Sequence, residues 1–255
     1  MPKQIKVMTL NANGLRSLQR KDFFSWFLAQ DVDVLCLQEI KAQADQLSQD
    51  LFELKGYTRH LLSAQKPGYS GVAIYCRLPV LEVLHPLEGL WIDEGRLLGL
   101  RLSEFTVYSL YLPSGTQGDV RQKIKYQLMD ELWAWMQLNN SKPMVIAGDW
   151  NIAHQQIDLK NWRSNQKNSG FLPPERDWLT QVFDKGWVDT FRHQYPEKEQ
   201  YTWWTYRANA RANNVGWRID YQVCTKDLAP TLMDGFVDAE PLFSDHAPYT
   251  VIYQL

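Results

Sequence analysis

The sequence predicts one α/β domain, spanning residues 1–255, in which two β-sheets pack face to face and helices lie outside them. Three observations support this fold class. Short β-like runs outnumber the amphipathic helical segments, as in two-sheet sandwiches. Neighbouring runs such as Leu97–Leu102 and Phe105–Leu112 are hairpin-spaced, which disfavours a doubly wound parallel sheet. No low-complexity linker or repeat divides the chain.

The order of the elements follows from residue periodicity. Alternation of apolar and polar residues predicts a strand at Ile5–Leu10, and a short apolar run predicts a buried strand at Asp33–Leu37. Between these two strands a helix is predicted, with an apolar face made of Phe23, Phe24, Phe27 and Leu28. The further predicted strands are Gly71–Cys76, Leu97–Leu102, Phe105–Leu112, Pro143–Ala147, Arg218–Cys224 and Tyr249–Tyr253.

A long amphipathic helix is predicted over Asp119–Met136, bounded by Gly118 before it and Pro143 after it. Its apolar residues recur every four positions, at Val120, Ile124, Leu128 and Leu132. Another helix is expected to start near Pro173, because proline is tolerated in the first turn of a helix. These helices would cover the outer faces of the sheets.

The composition excludes several classes of protein. Hydrophobic residues form 45% of the chain and charged residues 22%, which disfavours disorder and coiled coil. No apolar run approaches the roughly 20 residues that span a bilayer, and no charged-then-apolar leader precedes the first strand. The three cysteines, Cys36, Cys76 and Cys224, are dispersed in apolar runs, which indicates reduced core thiols. A cytoplasmic location and no membrane partner are therefore expected.

The formal charge of −2 argues mildly against indiscriminate binding of nucleic acid. Basic residues nevertheless cluster in two local groups, although the net charge is negative. They are Lys160, Arg163 and Lys167 in one stretch, and Arg207, Arg211 and Arg218 in the other. Such groups are either solvated surface charges or contacts to phosphate, and charge alone favours the solvated surface.

Polar residues recur where the predicted strands begin or end. These residues are Asn11, Asn13, Glu39, Tyr111, Asp149, Asn151, Asp220, Asp245 and His246. A single carboxylate beside a strand is usually a turn former or a helix cap. Loops at one end of a sandwich bring distant groups together, however, and a repeated pattern of this kind favours a functional site.

The types of these side chains indicate the chemistry. They are oxygen donors with one histidine and no cysteine, which suits Mg²⁺ or Mn²⁺. Zinc is disfavoured because HExxH, paired CxxC and clustered histidines are absent from the sequence. The phosphate-binding loops GxxxxGK[ST] and GxGxxG are also absent, and so is the nucleophile motif GxSxG. Metal-assisted hydrolysis is the remaining class of reaction.

Eight segments carry a resemblance to a known family along essentially the whole chain. They are residues 10–16 (LNANGLR), 37–39 (LQE), 111–113 (YLP), 148–151 (GDWN), 168–171 (NSGF), 201–206 (YTWWTY), 216–221 (GWRIDY) and 244–248 (SDHAP). In this order they resemble the exonuclease III family of abasic-site endonucleases, within the endonuclease/exonuclease/phosphatase superfamily that includes DNase I. The resemblance implies a DNase I-like sandwich of two packed mixed β-sheets flanked by helices.

The resemblance also implies a role for each polar residue. The metal-binding residues would be Glu39 as the main Mg²⁺ ligand, with Asn11, Asp149, Asn151 and Asp245. Asp149 would deprotonate the attacking water, and Asn151 would hold that water or donate to the phosphate. His246, paired with Asp220, would stabilise the charge that builds on the phosphate.

Two further catalytic residues follow from the same resemblance. Tyr111 would donate to the phosphate or to the leaving oxygen, and Asp245 would position the leaving group or bind a second metal ion. Some family members carry aspartate where this chain has Asn13, so a ligand set that includes this position has one fewer negative charge here.

Contacts to DNA are expected on the rim of this site. The resemblance implies that a flipped-out sugar without a base is surrounded by Asn165, Asn168, Trp203 and Trp217. It also implies that the small pair Ser169 and Gly170 leaves the entrance open. Arg207 occupies a position where some relatives insert an apolar wedge, and it is expected to contact phosphate. Lys125 and Arg121 either reach the DNA backbone or lie on a solvated helix face.

The function that the resemblance implies is repair of DNA as a monomer. The chain would incise double-stranded DNA 5′ to abasic sites, leaving a 3′-hydroxyl, and would also remove 3′ blocks and act as a 3′→5′ exonuclease. One alternative is an exonuclease that trims 3′ ends with little internal incision. Others are the same catalytic core acting on phosphoinositide, sphingomyelin or RNA, and a non-catalytic DNA-binding module.

Overall fold

The structure is a computed structural model that describes residues 3–48 and 50–255. Within these ranges twelve strands form two six-stranded sheets. The strands, β1 to β12 in chain order, are Gln4–Asn11, Val34–Gln38, Thr58–Leu62, Val72–Cys76, Glu82–Leu84, Leu97–Arg101, Thr106–Tyr111, Met144–Asp149, Trp187–Asp189, Asp220–Thr225, Leu232–Val237 and Tyr249–Gln254. The first sheet has the order β11-β12-β1-β2-β4-β3, and the second β5-β6-β7-β8-β10-β9.

Both sheets are mixed. The pairs β1–β2 and β7–β8 are parallel, and the other neighbouring strands of each sheet run antiparallel. The α-helices, α1 to α7, are Leu15–Gln19, Phe23–Ala29, Leu90–Asp93, Asp119–Asn139, Trp162–Asn165, Pro173–Asp184 and Thr190–Gln194. Four 3₁₀ turns in the described ranges are Ala44–Leu47, Asp50–Phe52, Gln156–Asp158 and Lys226–Thr231. The predicted sandwich with outer helices is confirmed.

The core has three layers. Val7 and Val34 from the first sheet meet Val107 and Val145 from the second in the space between the sheets. The outer face of the first sheet is covered by leucines of α1 and phenylalanines of α2, and that of the second by α4 and α6. The three cysteines are buried and free, as predicted. In the described part of the chain, no helix is long and apolar enough to cross a membrane.

Two residues of the predicted apolar faces are exposed. Leu28 is 46% exposed at the end of α2, although Phe23 and Phe27 are fully buried as expected. Val120 is 72% exposed because it lies in the first turn of α4, before the buried stripe that includes Leu128 and Leu132. The predicted start of α4 after Gly118 and the start of α6 at Pro173 are confirmed.

Four strands have no counterpart in the sequence prediction, namely β3, β5, β9 and β11. They are the four edges of the two sheets. An edge strand is covered less than a central strand, so its apolar pattern is weaker. The sequence prediction also ended β8 at Ala147, whereas the strand continues through Asp149. Gly148 permits this, since a Cβ there would lie 1.9 Å from the carbonyl oxygen of Leu110 on the neighbouring strand.

A buried charge network supports the start of β10. The Arg218 guanidinium lies 2.8 Å from Asp158 and 2.7 Å from Asp189, and Arg192 lies 2.6 Å from Asp158. Arg218 is only 1% exposed, so its assignment to a basic surface stretch is wrong. Burial opposes ionisation of Asp158, but the two guanidinium groups outweigh this effect and lower its pKa to about 2.

Replacement of Arg218 by methionine should lower the free energy of unfolding by about 3–5 kcal/mol, because it leaves two buried carboxylates without their main partner. Urea denaturation measures this, with exposed Arg20→Met as the control. Since the folded-state pKa of Asp158 is depressed, the wild-type contribution is present above about pH 4 and is lost as pH falls towards 2. An Arg218 variant as stable as the control would refute this role.

Candidate active site

The carboxyl ends of the two parallel strand pairs meet at one edge of the sandwich. Asn11 is the last residue of β1, and its Nδ2 donates to Oε1 of Glu39, just after β2, at 2.8 Å. The same nitrogen donates to Oδ2 of Asp149, the last residue of β8, at 2.8 Å. The two sheets therefore bring residues from distant parts of the chain to one point, as the sequence pattern predicted.

Asp220 and His246 form a dyad beside Asp149. Asp220 is in register with Asp149 on the neighbouring strand, and its Oδ2 lies 2.9 Å from Nδ1 of His246. Nε2 of His246 faces the other way and lies 3.9 Å from Oδ2 of Asp149. The hydrogen bond at Nδ1 fixes the orientation of the ring and directs Nε2–H to a partner in the site.

The backbone at the site adopts a conformation that side chains usually avoid. Glu39, Asn13 and Asn151 have φ values of 48°, 43° and 52°. A left-handed non-glycine residue costs on the order of 1–3 kcal/mol and clusters at functional sites. At Asn151 the turn is held by Asp149, whose Oδ1 accepts the Asn151 backbone N–H at 2.9 Å. Asp149 and Asn151 thereby point into the same space.

Lys41 is a functional candidate that the sequence prediction missed. Its Nζ lies 2.7 Å from Oε2 of Glu39 and donates to Oδ1 of Asn13 at 2.6 Å. Burial raises the pKa of Glu39, but Lys41 and the Asn11 amide outweigh burial and lower it. A lysine two residues after a glutamate carries no sequence signal, because only the left-handed turn brings the two charges together.

Asp245 accepts hydrogen bonds from three neutral side chains, one of which is the neighbouring Ser244 hydroxyl at 3.1 Å. Nδ2 of Asn13 donates to its Oδ1 at 2.9 Å, and the indole Nε1 of Trp203 donates to its Oδ2 at 3.1 Å. Burial raises the pKa of Asp245, but His246 and these two donors outweigh burial and lower it. An aspartate in place of Asn13 could not donate when ionised, so the asparagine gives Asp245 a partner that a carboxylate would not.

The pKa values of the central groups of the site are shifted from their ordinary values. Burial raises the pKa of Asp149 to about 8, with the His246 charge opposing the shift, and a base in this range can exchange a proton near neutral pH. Burial lowers the pKa of His246, but Asp220 outweighs burial and raises it to about 10, so the ring is cationic. Loss of water contact raises the pKa of Tyr111 well above its ordinary value, and Glu39 raises it further. The phenol therefore remains a donor.

The donor set fits a hard divalent cation. Glu39, Asp149 and Asp245 present carboxylate oxygens to the same space, and ligand atoms of Asp149, Asp220 and His246 lie within 4.8 Å of one another. The carboxylates of this buried group could hold a metal ion, whereas the cationic His246 ring has no lone pair for one. Asn11 was expected to bind the metal. In the structure its side-chain oxygen accepts the Asn13 backbone N–H at 3.0 Å, and its nitrogen donates to the carboxylates of Glu39 and Asp149.

These groups lie at the base of a cleft of about 920 Å³. Of the expected DNA contacts, Asn165, Asn168, Trp203 and Trp217 line the cleft. The two indole rings meet edge to face, with centroids 6.3 Å apart. Arg207 lies on the exposed loop that follows Thr205, a residue of the cleft rim.

The structure corrects the expectations for several basic residues. Lys125 is fully buried in an ion pair with Glu175, so both its predicted DNA contact and the alternative of a solvated face are wrong. Arg121 is bound to Glu94, and Arg211 donates to backbone carbonyls that include that of Ser244. In the other basic stretch, Lys160 and Lys167 line the cleft.

Known proteins share both the sequence and the fold. Residues 8–246 match the Endonuclease/Exonuclease/phosphatase family. The chain is 37% identical to an exodeoxyribonuclease of Bacillus subtilis (strain 168), over 98% of this chain and 100% of that protein. It is 38% identical to the DNA repair nuclease APEX1 of Danio rerio, over 97% of this chain and 81% of that protein.

Solved structures of related proteins have the same fold. The AP endonuclease LMAP from Leishmania major has a TM-score of 0.90 and 28% identity, covering 99% of this chain and 88% of that one. The 3′ phosphatase NExo from Neisseria, bound to product DNA hairpin, has a TM-score of 0.90 and 27% identity, covering 98% and 100%. The fold and the acidic cleft define the class, and the chain belongs to the Endonuclease/Exonuclease/phosphatase family. Within that family it is a hydrolytic nuclease of the group that contains AP endonucleases and exodeoxyribonucleases.

Proposed function

We propose that this chain is a single catalytic domain that incises double-stranded DNA 5′ to abasic sites, leaving a 3′-hydroxyl. It also removes blocked 3′ ends and trims 3′ ends as an exonuclease. The observation that carries this proposal is the meeting of Glu39, Asp149 and the His246–Asp220 dyad in one cleft whose wall contains Trp203. We further propose that the protein acts as a monomer in the cytoplasm, and the buried free thiols agree with a reducing compartment.

Magnesium, with manganese as a substitute, would be held by Glu39 with Asp149 and Asp245. When bound, the ion would act as a Lewis acid that stabilises the phosphate and the leaving oxygen. Asn11 would orient two of these carboxylates through its bridging amide. Asp149 takes a proton from water as the new water-oxygen-to-phosphorus bond forms. Asn151, whose amide is fixed on Asp149 and on the Leu112 carbonyl, holds that water in place.

Charge on the phosphate rises as the bond from phosphorus to the 3′-oxygen breaks. Cationic His246 donates through Nε2 to a phosphate oxygen, and Asp220 keeps the ring in that orientation. Tyr111, protonated and packed under the Arg96 guanidinium at 4.9 Å, donates to the phosphate or to the departing oxygen. Asp245 positions the leaving group. The products are a 3′-hydroxyl and a 5′-phosphate on the abasic residue.

The cleft wall suits a nucleotide without a base. Trp203 and Trp217, whose rings meet edge to face, form an apolar corner for a deoxyribose, and Asn165 and Asn168 offer polar contacts elsewhere in the cleft. Extrusion of a nucleotide costs least where the base is already missing. Arg207 and the cleft lysines Lys160 and Lys167 would contact phosphates on either side of the extruded nucleotide, with binding that weakens steeply as salt rises.

Ser169 controls the width of the entrance. Its Oγ accepts the Gly115 backbone N–H at 3.1 Å, so it joins the two rims of the cleft. Ser169→His places a bulky ring there, and we expect internal abasic-site incision to fall by about tenfold, roughly 1.4 kcal/mol of transition-state stabilisation. Trimming of a recessed 3′ end should persist, as should both activities in Ser169→Ala. Undiminished internal incision by Ser169→His would remove the steric argument.

A second candidate keeps the same chemistry and changes the position of cleavage. Its support is the likeness to the Neisseria 3′ phosphatase, which covers the whole of that chain. In this version the protein trims 3′ ends and incises internal abasic sites poorly. Rates on an internal abasic analogue and on an undamaged 3′-recessed duplex, measured side by side, distinguish the two. Cleavage of the recessed duplex alone favours the second candidate.

A further inference from the structure

A buried ion pair lies directly behind the cleft. Nζ of Lys125, on α4, is 2.6 Å from Oε1 of Glu175, on α6, and neither side chain has any solvent exposure. Burying two charges is expensive, and a well-packed apolar pair is often as stable or more stable. Stability alone therefore gives little reason for these two residues, and their other contacts are informative.

Lys125 holds the backbone of Asn151. Its Nζ donates to the Asn151 carbonyl oxygen at 2.8 Å. Asn151 has the unfavourable left-handed φ of 52°, so an ammonium that fixes its carbonyl also fixes the turn. The side-chain amide of Asn151, which reaches Asp149 and the Leu112 carbonyl, depends on that turn for its direction.

Glu175 holds the opposite rim of the cleft. Its Oε2 accepts the backbone N–H groups of Gly170 at 2.7 Å and of Leu172 at 3.0 Å. Gly170 in turn packs against Asn151, since a Cβ added to Gly170 would lie 3.1 Å from the Asn151 carbonyl oxygen. One ion pair thus connects the turn at Asn151 with the loop that contains Ser169 and Gly170.

We propose that Lys125 and Glu175 are positioning residues that hold Asn151 and the Ser169–Gly170 rim in the geometry needed for phosphodiester cleavage. This inference rests on the proposed function of Asn151. Neither residue touches the substrate. The sequence prediction assigned Lys125 to the DNA backbone, and the proposal gives it an indirect role in its place.

The test uses Lys125→Met, Glu175→Gln and the double variant, with exposed Lys123→Met on the same helix as the control. The single variants leave one buried charge unpaired and should be less stable, whereas the double variant removes both charges and should regain stability. We expect kcat for abasic-site incision to fall at least tenfold in Lys125→Met and in the double variant, with KM within about twofold of wild type. Recovery of kcat together with stability would mean a merely structural role and would overturn the proposal.

A double-mutant cycle with Asn151→Ala, measured in single turnover, shows whether Lys125 acts through Asn151. Lys125→Met should then add little to the loss that Asn151→Ala already causes. An equal, additive loss in both backgrounds would contradict the proposal.

Hydrogen exchange gives a readout that needs no activity. Amide protection at Asn151–Ala153 and at Gly170 should drop in the folded double variant and stay at the wild-type level in Lys123→Met. Unchanged protection would refute the positioning role. If the wild-type protein is inert on abasic DNA, the proposed function fails, and the exchange result still decides whether the pair holds the two loops.

Discussion

Replacement of Asp149 by asparagine should lower kcat for abasic-site incision by about 10²- to 10⁴-fold, the usual contribution of a general base. Asp149 accepts hydrogen bonds from Asn11 and Asn151 and also faces His246. An amide of the same shape keeps the volume of the side chain but cannot take a proton from water. The chemical step should therefore fail while substrate binding persists.

The fold of this variant should remain intact. Burial already raises the pKa of Asp149 to about 8, so its environment tolerates a neutral group. The measurement is single-turnover cleavage of an abasic duplex, with circular dichroism and binding of uncleaved DNA as controls. Exposed Asp184→Asn serves as the matched variant. Turnover near the wild-type level by Asp149→Asn would identify a different base.

Replacement of Glu39 by glutamine should have the second large effect, which is a loss of affinity for the metal ion. Glu39, just after β2, is the proposed main ligand, and its lowered pKa keeps it ionised near neutral pH. Glutamine removes that charge, and it leaves Lys41 in the site without its anionic partner. We expect the Mg²⁺ concentration for half-maximal cleavage to rise by well over about tenfold, since loss of an outer-sphere partner alone costs 10- to 100-fold in metal affinity.

Metal binding itself provides the independent readout. Isothermal titration with Mn²⁺ should show weaker binding by Glu39→Gln and unchanged binding by exposed Glu88→Gln. High Mg²⁺ should restore part of the activity of Glu39→Gln if the defect is affinity. Wild-type metal affinity in Glu39→Gln would show that the ion is held elsewhere.

The central part of the fold follows from local sequence. Buried central strands such as β2 and β8 have long apolar runs, and the start of α4 follows from Gly118. The edge strands β3, β5 and β11 escape prediction because most of their residues are exposed or only partly buried. The edge strand β9 is buried but has only three residues, and the pairing of all four is decided by the strand beside them. Strand ends are also imprecise, as the extension of β8 to Asp149 shows.

The candidate site was also predicted only in part. Carboxylates at strand ends identified Glu39, Asp149 and the Asp220–His246 dyad, because strand ends in a sandwich share an edge. Lys125 was assigned to the DNA backbone, and its burial was missed because a lysine on a helix is rarely buried and its partner Glu175 is 50 residues away. No spacing rule connects such a pair, since only the packing of α4 against α6 brings the charges together.

The central claim is that one metal-dependent cleft cleaves the DNA backbone beside a missing base. Its most direct test is a 5′-labelled duplex with a single abasic analogue, incubated with the protein in Mg²⁺ or in EDTA, beside the same duplex with a normal base. We expect the labelled product that ends in a 3′-hydroxyl immediately 5′ to the lesion to form in Mg²⁺ only and from the damaged duplex only, in addition to any products of 3′-end trimming that both duplexes share. Undiminished cleavage in EDTA, or an intact damaged strand in Mg²⁺, would contradict it.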